Sequence, residues 1–100
     1  MGVIDLSAVA YQPGAVVSRT LLKTGGGSVT VFAFDAGEGL SEHTAAFDAL
    51  VVMVDGEAEI SVGGAMHRVP AGSLLRLPAN IPHAVKAVTP FKMLLVMLRA

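Results

Sequence analysis

The sequence predicts an all-β protein in which antiparallel strands pack as a sandwich or barrel. Valine dominates the apolar residues, and no stretch sustains the i, i+3, i+4, i+7 spacing of a long amphipathic helix. Short apolar runs recur about every ten residues, and turn sequences rich in glycine and proline separate them. With 53% hydrophobic and 15% charged residues, the 100-residue chain can form one core, so residues 1–100 are predicted to be one domain.

Eight strands are predicted from apolar runs that end at turn residues. In chain order they cover residues 16–22, 28–34, 49–54, 57–62, 65–69, 73–77, 83–88 and 91–98. A glycine triplet at 25–27 separates the first two strands, and a glycine-containing loop at 35–42 follows the second. His43 is expected to open a new segment after this loop. The later boundaries, at 55–56, 63–64, 70–72, 78–82 and 89–90, carry glycine, proline or asparagine at turn positions.

Two short turns, at 55–56 and 63–64, predict which side chains face the core. As two-residue hairpin loops they would pair Val54 with Glu57 and Ile60 with His67. Alternate residues of a strand share a face. The core face is therefore predicted to carry Ala49, Val51, Met53, Ala58, Ile60, Val62 and His67. On the strand at 83–88, Lys86 is expected to point outward, which leaves His83, Val85 and Ala87 facing inward.

Charge and composition exclude several classes of protein. Eight acidic and seven basic residues give a net charge of −1, which argues against a nucleic-acid-binding protein with a basic face. The apolar runs are far shorter than the roughly 20 residues of a membrane-spanning helix. The first residues lack the basic start and apolar stretch of a signal peptide, so the expected compartment is the cytoplasm. The absence of cysteine excludes disulfides, thiolate metal sites and a thiol nucleophile.

The last predicted strand, 91–98, is apolar on both faces after Lys92. It is therefore either central in a two-sheet packing or covered by a second subunit. We expect a homodimer, because Leu94, Val96 and Leu98 form a second apolar face on this strand. The N-terminal strand region, residues 3–22, is expected at the dimer interface.

Two spaced patterns contain two of the three histidines. The first is Gly37, His43, Ala45, Ala49 and Gly56, and the second is Gly72, Pro78, Asn80, His83 and Ala87. From about residue 28 to residue 98, the chain resembles a small single-domain cupin. The first cupin motif reads glycine, five residues, histidine, one residue, histidine, three or four residues, glutamate, six residues, glycine. The second reads glycine, five residues, proline, one residue, glycine, two residues, histidine, three residues, asparagine.

This resemblance implies an antiparallel jelly-roll barrel of two packed sheets. In metal-binding cupins it also implies three histidines and one glutamate around one divalent ion. Only His43 and His83 match those ligand positions, because Ala45 and Ala49 stand at the other two. The metal expected from the resemblance is iron, manganese, nickel, copper or zinc, and the enzyme class is a metal-dependent dioxygenase or isomerase.

Three other residues are candidates to complete a metal site. Asp48 adjoins the vacant glutamate position, Glu42 adjoins His43, and His67 faces inward on a separate strand. Strand alternation turns Asp48 and Glu42 away from their neighbours unless a bulge or loop end intervenes. An inward histidine such as His67 is more often hydrogen-bonded within a core than bound to a metal.

Three functional hypotheses follow from these residues. In the first, His43 and His83 bind a divalent metal that acts on a small oxygen-bearing substrate beside an apolar interior. In the second, the space beside Ala45 and Ala49 accepts a small apolar or anionic molecule without a metal. In the third, the protein is a structural dimeric barrel whose histidines only satisfy core hydrogen bonds.

Overall fold

The computed structural model describes residues 2–99, which form nine strands and one short 3-10 turn at Leu6–Ala8. The strands are β1 (Val16–Thr24), β2 (Gly27–Phe34), β3 (Gly39–His43), β4 (Asp48–Asp55), β5 (Glu57–Val62), β6 (Ala65–Pro70), β7 (Leu74–Leu77), β8 (His83–Ala87) and β9 (Phe91–Leu98). No helix in this part of the chain is long and apolar enough to cross a membrane.

The strands form two antiparallel sheets. The five-stranded sheet has the order β1-β2-β9-β4-β7, and the four-stranded sheet has the order β3-β8-β5-β6. From β2 onward the chain passes from one sheet to the other six times, and only β5 and β6 are consecutive strands of one sheet. Such crossing is typical of a jelly roll, so the predicted all-β, two-sheet architecture is confirmed.

The core lies between the inner faces of the two sheets. Phe34 and Phe91 are fully buried at its centre, and their rings stack with centroids 4.4 Å apart. The predicted inner face is confirmed for most positions, because alternate residues of each strand are removed from water. Its buried members are Ala49, Val51, Met53, Ala58, Ile60, His83, Val85 and Ala87.

The hairpin predicted at Asp55-Gly56 is wrong. β4 pairs with β7 and β9, whereas β5 pairs with β6 and β8, so residues 55–56 carry the chain from one sheet to the other. The inward faces were nevertheless predicted correctly. Both sheets turn their inner faces to one shared core, so a strand's buried side does not depend on which strand lies beside it.

The hairpin predicted at Gly63-Gly64 is confirmed, including the pairing of Ile60 with His67. His67 is nevertheless exposed, which corrects the expectation that it lies inside. It lies on β6, the edge strand of the four-stranded sheet, where Val69 of the same face is buried. The opposite sheet therefore covers only the Val69 end of this strand.

One strand was not predicted from the sequence. Residues 39–43 form β3, and His43 is its last residue rather than the first of a new segment. Four of the five residues of β3 are exposed, so the strand lacks the apolar run by which the others were recognised. Only Leu40 packs against the core.

In the N-terminal region the strand predicted at 16–22 is present as β1, and residues before it pack on the outer face of the five-stranded sheet. Leu6, Val9 and Tyr11 cover this face around Val31 and Leu94. Of the two alternatives given for the last strand, the structure shows the central position, because β9 lies between β2 and β4.

Candidate functional site

Two histidines meet where the ends of β3 and β8 pair. His43 ends β3, His83 begins β8, and the two are register partners. The strands approach closely at Gly39, where a side-chain Cβ would collide with the carbonyl oxygen of Val85. Glycine at this position therefore permits the pairing that brings His43 to His83.

The loop before β8 fixes the position of His83. Asn80 adopts a left-handed conformation with φ of 63°, which asparagine tolerates better than most residues. Its N–H donates to the carbonyl of Ala45 at 2.8 Å, and the N–H of Gly63 donates to the carbonyl of Pro82 at 2.8 Å. These bonds tie the loop to both flanking segments, and His83 enters the inner face with 8% of its surface exposed.

The two imidazole rings face each other through their Nε2 atoms. Nε2 of His43 lies 3.1 Å from Nε2 of His83, and the rings are inclined at 68°. Each Nδ1 faces a backbone carbonyl: that of Ser41 at 2.8 Å for His43, and that of Ile81 at 3.3 Å for His83. A carbonyl only accepts hydrogen bonds, so both Nδ1 atoms are assigned as the donors.

This assignment leaves two unprotonated nitrogens in contact at 3.1 Å, with no hydrogen between them. Such a contact is unfavourable unless a cation lies between them, either a proton or a metal ion. Zinc–nitrogen bonds are about 2.0–2.1 Å long. Two such ligands at right angles on one ion are roughly 2.9 Å apart, and at the tetrahedral angle roughly 3.3 Å. The 3.1 Å between the Nε2 atoms lies within that range, so the pair fits two neighbouring ligands of one ion.

The other predicted candidates do not join this pair. Among residues 2–99, no group of three or more histidine, aspartate or glutamate side chains is arranged to hold a metal ion. Glu42 and His67 are exposed, and Ala45 and Ala49 offer no donor. Within the described residues, a bound ion would therefore have only two side-chain ligands. Its remaining ligands would come from water or substrate.

Asp48 has structural contacts instead. Its Oδ1 accepts a hydrogen bond of 2.9 Å from the N–H of Ala79 and lies 3.9 Å from a guanidinium nitrogen of Arg76. The carboxylate thus ties the start of β4 to the loop before His83. These contacts give Asp48 a structural role, and they position His83 indirectly.

A separate cavity of about 250 Å³ lies at the ends of β1, β2 and β9. Lys23, Ser28, Phe47, Met97 and Arg99 line it, and neither histidine does. Sequence analysis missed this site because its two cations are 76 positions apart (99 − 23) and belong to no motif. Only the pairing of strand ends brings them together.

The sequence and the fold were compared with known proteins. A family model described as "Cupin domain" matches residues 30–97. No match was found among curated proteins.

Solved structures share the whole architecture. A protein of unknown function from Streptococcus pyogenes is 37% identical with a TM-score of 0.92, over 99% of this chain and 88% of that one. A cupin 2 conserved barrel domain protein from Leptotrichia buccalis is 41% identical with a TM-score of 0.90, over 93% of this chain and 45% of that one. A cupin superfamily protein from Desulfitobacterium hafniense is 28% identical with a TM-score of 0.89, over 94% of this chain and 86% of that one.

Proposed function

Because this chain belongs to the cupin family, we propose that it binds a divalent transition-metal ion through Nε2 of His43 and Nε2 of His83. The observation that carries this proposal is the 3.1 Å separation of two Nε2 atoms whose Nδ1 atoms already face carbonyls. Hydrogen bonds from Nδ1 to a carbonyl orient a histidine ring and raise its basicity as a ligand. The pair is thereby prepared to hold a cation.

The two histidines differ in a way that suits substrate access. His83 is buried and held by its loop, whereas His43 is exposed at a strand end. A substrate therefore reaches the pair from the His43 side, since His83 is on the inner face that also carries the buried core residues Met53 and Ile60. A bound ion with open positions would supply Lewis-acid or dioxygen chemistry, as in a cupin isomerase or dioxygenase.

The test is metal binding by protein purified without chelator or a nickel column. Elemental analysis after equilibration with iron, manganese, nickel, copper or zinc should find near-stoichiometric metal in the wild type. The His43→Ala/His83→Ala variant should contain none. His67→Ala removes the third histidine, which lies apart from the pair, and should bind as the wild type does. Equal metal in the double variant would refute the proposal.

A second candidate function is metal-free binding of a small molecule. It is favoured by the absence of a third side-chain donor among residues 2–99 and by the small side chains of Ala45 and Ala49 at the other two motif positions. In this case His43 and His83 orient the ligand by hydrogen bonds. Absence of metal from the equilibrated wild type, together with a small molecule released on denaturation and identified by mass spectrometry, would favour this function.

We also propose that two copies associate through the outer face of the five-stranded sheet. Across neighbouring strands this face carries Leu22, Val29, Val96 and Leu50 in one row. On the same face, Leu22 and Leu98 are 59% and 51% exposed. Large apolar side chains that lie exposed together on one face usually mark the place where a partner packs. Sedimentation should give a dimer at micromolar concentration, and Leu98→Glu should shift it to a monomer. A monomeric wild type would refute this assembly.

A further inference from the structure

We propose that the cavity at the ends of β1, β2 and β9 binds a small organic carboxylate independently of the histidine pair. This cavity, called here the cationic pocket, is lined by Lys23, Thr24, Ser28, Phe47, Met97 and Arg99. It combines two cations, two hydroxyls and an apolar wall within about 250 Å³. Those are the complementary features of a carboxylate attached to a small apolar body.

Strand register brings the wall of the pocket together. Lys23 pairs with Ser28 across β1 and β2, and Ser28 pairs with Met97 across β2 and β9. Because paired residues share a face, these three side chains form one row on the inner side of the sheet. The ammonium group, the hydroxyl and the thioether are therefore placed side by side by the backbone.

Two residues outside the strands complete the pocket. The N–H of Arg99 donates to the carbonyl of Gly26 at 2.9 Å, which holds the backbone of Arg99 against the β1–β2 turn. Its guanidinium lies 5.2 Å from the ring centroid of Phe47, within cation–π distance. The ring thus steadies the guanidinium beside the cavity.

The charge of the pocket is unbalanced. No acidic residue lines it, and neither Lys23 nor Arg99 is in an ion pair with any residue between 2 and 99. The ion pairs in that range are made by Arg68 and Arg76. A chain with only seven basic residues and a net charge of −1 thus directs two of them at one cavity. An anion between them would relieve their repulsion and receive charge-assisted hydrogen bonds.

Size and shape favour a carboxylate over an inorganic anion. The planar guanidinium of Arg99 matches a carboxylate in a two-bond arrangement. Phe47 and Met97 offer an apolar surface that phosphate cannot use, and the half-buried Ser28 offers a hydroxyl beside it. The volume is below the roughly 300–1,000 Å³ of pockets that hold drug-sized ligands, so the ligand is small.

The probe for this site is benzoate, followed by amide resonances of isotope-labelled protein at low salt. Benzoate should shift the resonances of Ser28, Phe47 and Arg99 saturably, with a Kd of about a millimolar given its few atoms. Benzamide has the same shape without the charge, and inorganic phosphate has charge without the apolar body. Each should bind at least about fivefold more weakly.

Variants assign the effect to the pocket. Lys23→Gln and Arg99→Gln should each weaken benzoate binding roughly fivefold or more, since each removes a charge-assisted hydrogen bond. Arg19→Gln changes the net charge equally but lies on the outer face of β1, and it should bind as the wild type does. The His43→Ala/His83→Ala variant should also retain benzoate binding.

Four results would overturn the proposal. They are equal binding of benzamide or phosphate, equal weakening by Arg19→Gln, shifts centred on His43 and His83, and no saturation up to about 50 mM benzoate, far above the Kd expected of so small a ligand. Because the pocket contains neither histidine, failure here leaves the proposed metal site untouched. Failure of the metal site likewise leaves the pocket testable.

Discussion

Replacing Gly56 by alanine tests how the chain crosses between the sheets. Gly56 has a φ of 73°, a left-handed conformation that costs an alanine about 1–2 kcal/mol. An added Cβ would also collide with the carbonyl oxygen of Pro90 and lie 2.9 Å from both Cα and Cβ of Phe91. These are backbone-anchored atoms next to a fully buried ring, so they cannot move aside freely. Overpacking of this kind costs roughly 1–3 kcal/mol more.

The matched control is Gly72→Ala. Gly72 has a similar φ of 87°, but an added Cβ there meets nothing within 4 Å. In urea unfolding, Gly72→Ala should lose about 1 kcal/mol, because reduced flexibility of the unfolded chain offsets part of the strain. Gly56→Ala should lose about 2–4 kcal/mol, with an unchanged dependence on urea. Equal losses in the two variants would refute the steric argument.

Three further predictions concern side chains outside the histidine pair. Tyr11→Phe should cost about 1 kcal/mol in thermal unfolding, because the hydroxyl donates to Asp55. Burial, then the hydrogen bond and charge of Asp55, raise the pKa of Tyr11. The stability that the hydroxyl contributes should therefore be fully present below pH about 10 and decrease progressively as the pH rises above it; a constant difference up to pH 11 would contradict this. The hydrogen bond from Arg68 lowers the pKa of Glu57. Glu57→Gln should therefore be less stable than the wild type at neutral pH, and this difference should vanish as the pH falls below about 4. An equal loss at pH 3 and pH 7 would count against that pair. Asn80→Gly should be nearly neutral whereas Asn80→Ala should cost about 1 kcal/mol, since φ is 63°; a reversed order of unfolding midpoints would exclude strain as the cause.

The sequence predicted inner faces better than strand neighbours. Ala49, Val51 and Met53 were assigned to the core, and all three are buried. The partners of their strand were wrong, because residues 55–56 cross between sheets instead of forming a hairpin. Alternation is a local property of a strand, whereas the choice of neighbour depends on contacts distant in the chain.

The candidate site shows the same division. His83 was placed inside from its alternation with Val85, and it is buried. His67 was placed inside by its predicted hairpin pairing with Ile60, and it is exposed, because an edge strand is covered only where the opposite sheet reaches it. The pleat of a strand determines to which face a side chain points. Whether that side chain is buried depends on how far the opposite sheet extends over it.

By itself, the sequence determined the all-β class, the inner faces of the strands and the likeness to cupins, since these depend on local alternation, turn residues and motif spacing. Only the tertiary structure decided that the Nε2 atoms of His43 and His83 lie 3.1 Å apart. It also brought Lys23 and Arg99 to one cavity from opposite ends of the chain. Both meetings depend on the register of strands far apart in sequence, and register is set by the packing of the whole core.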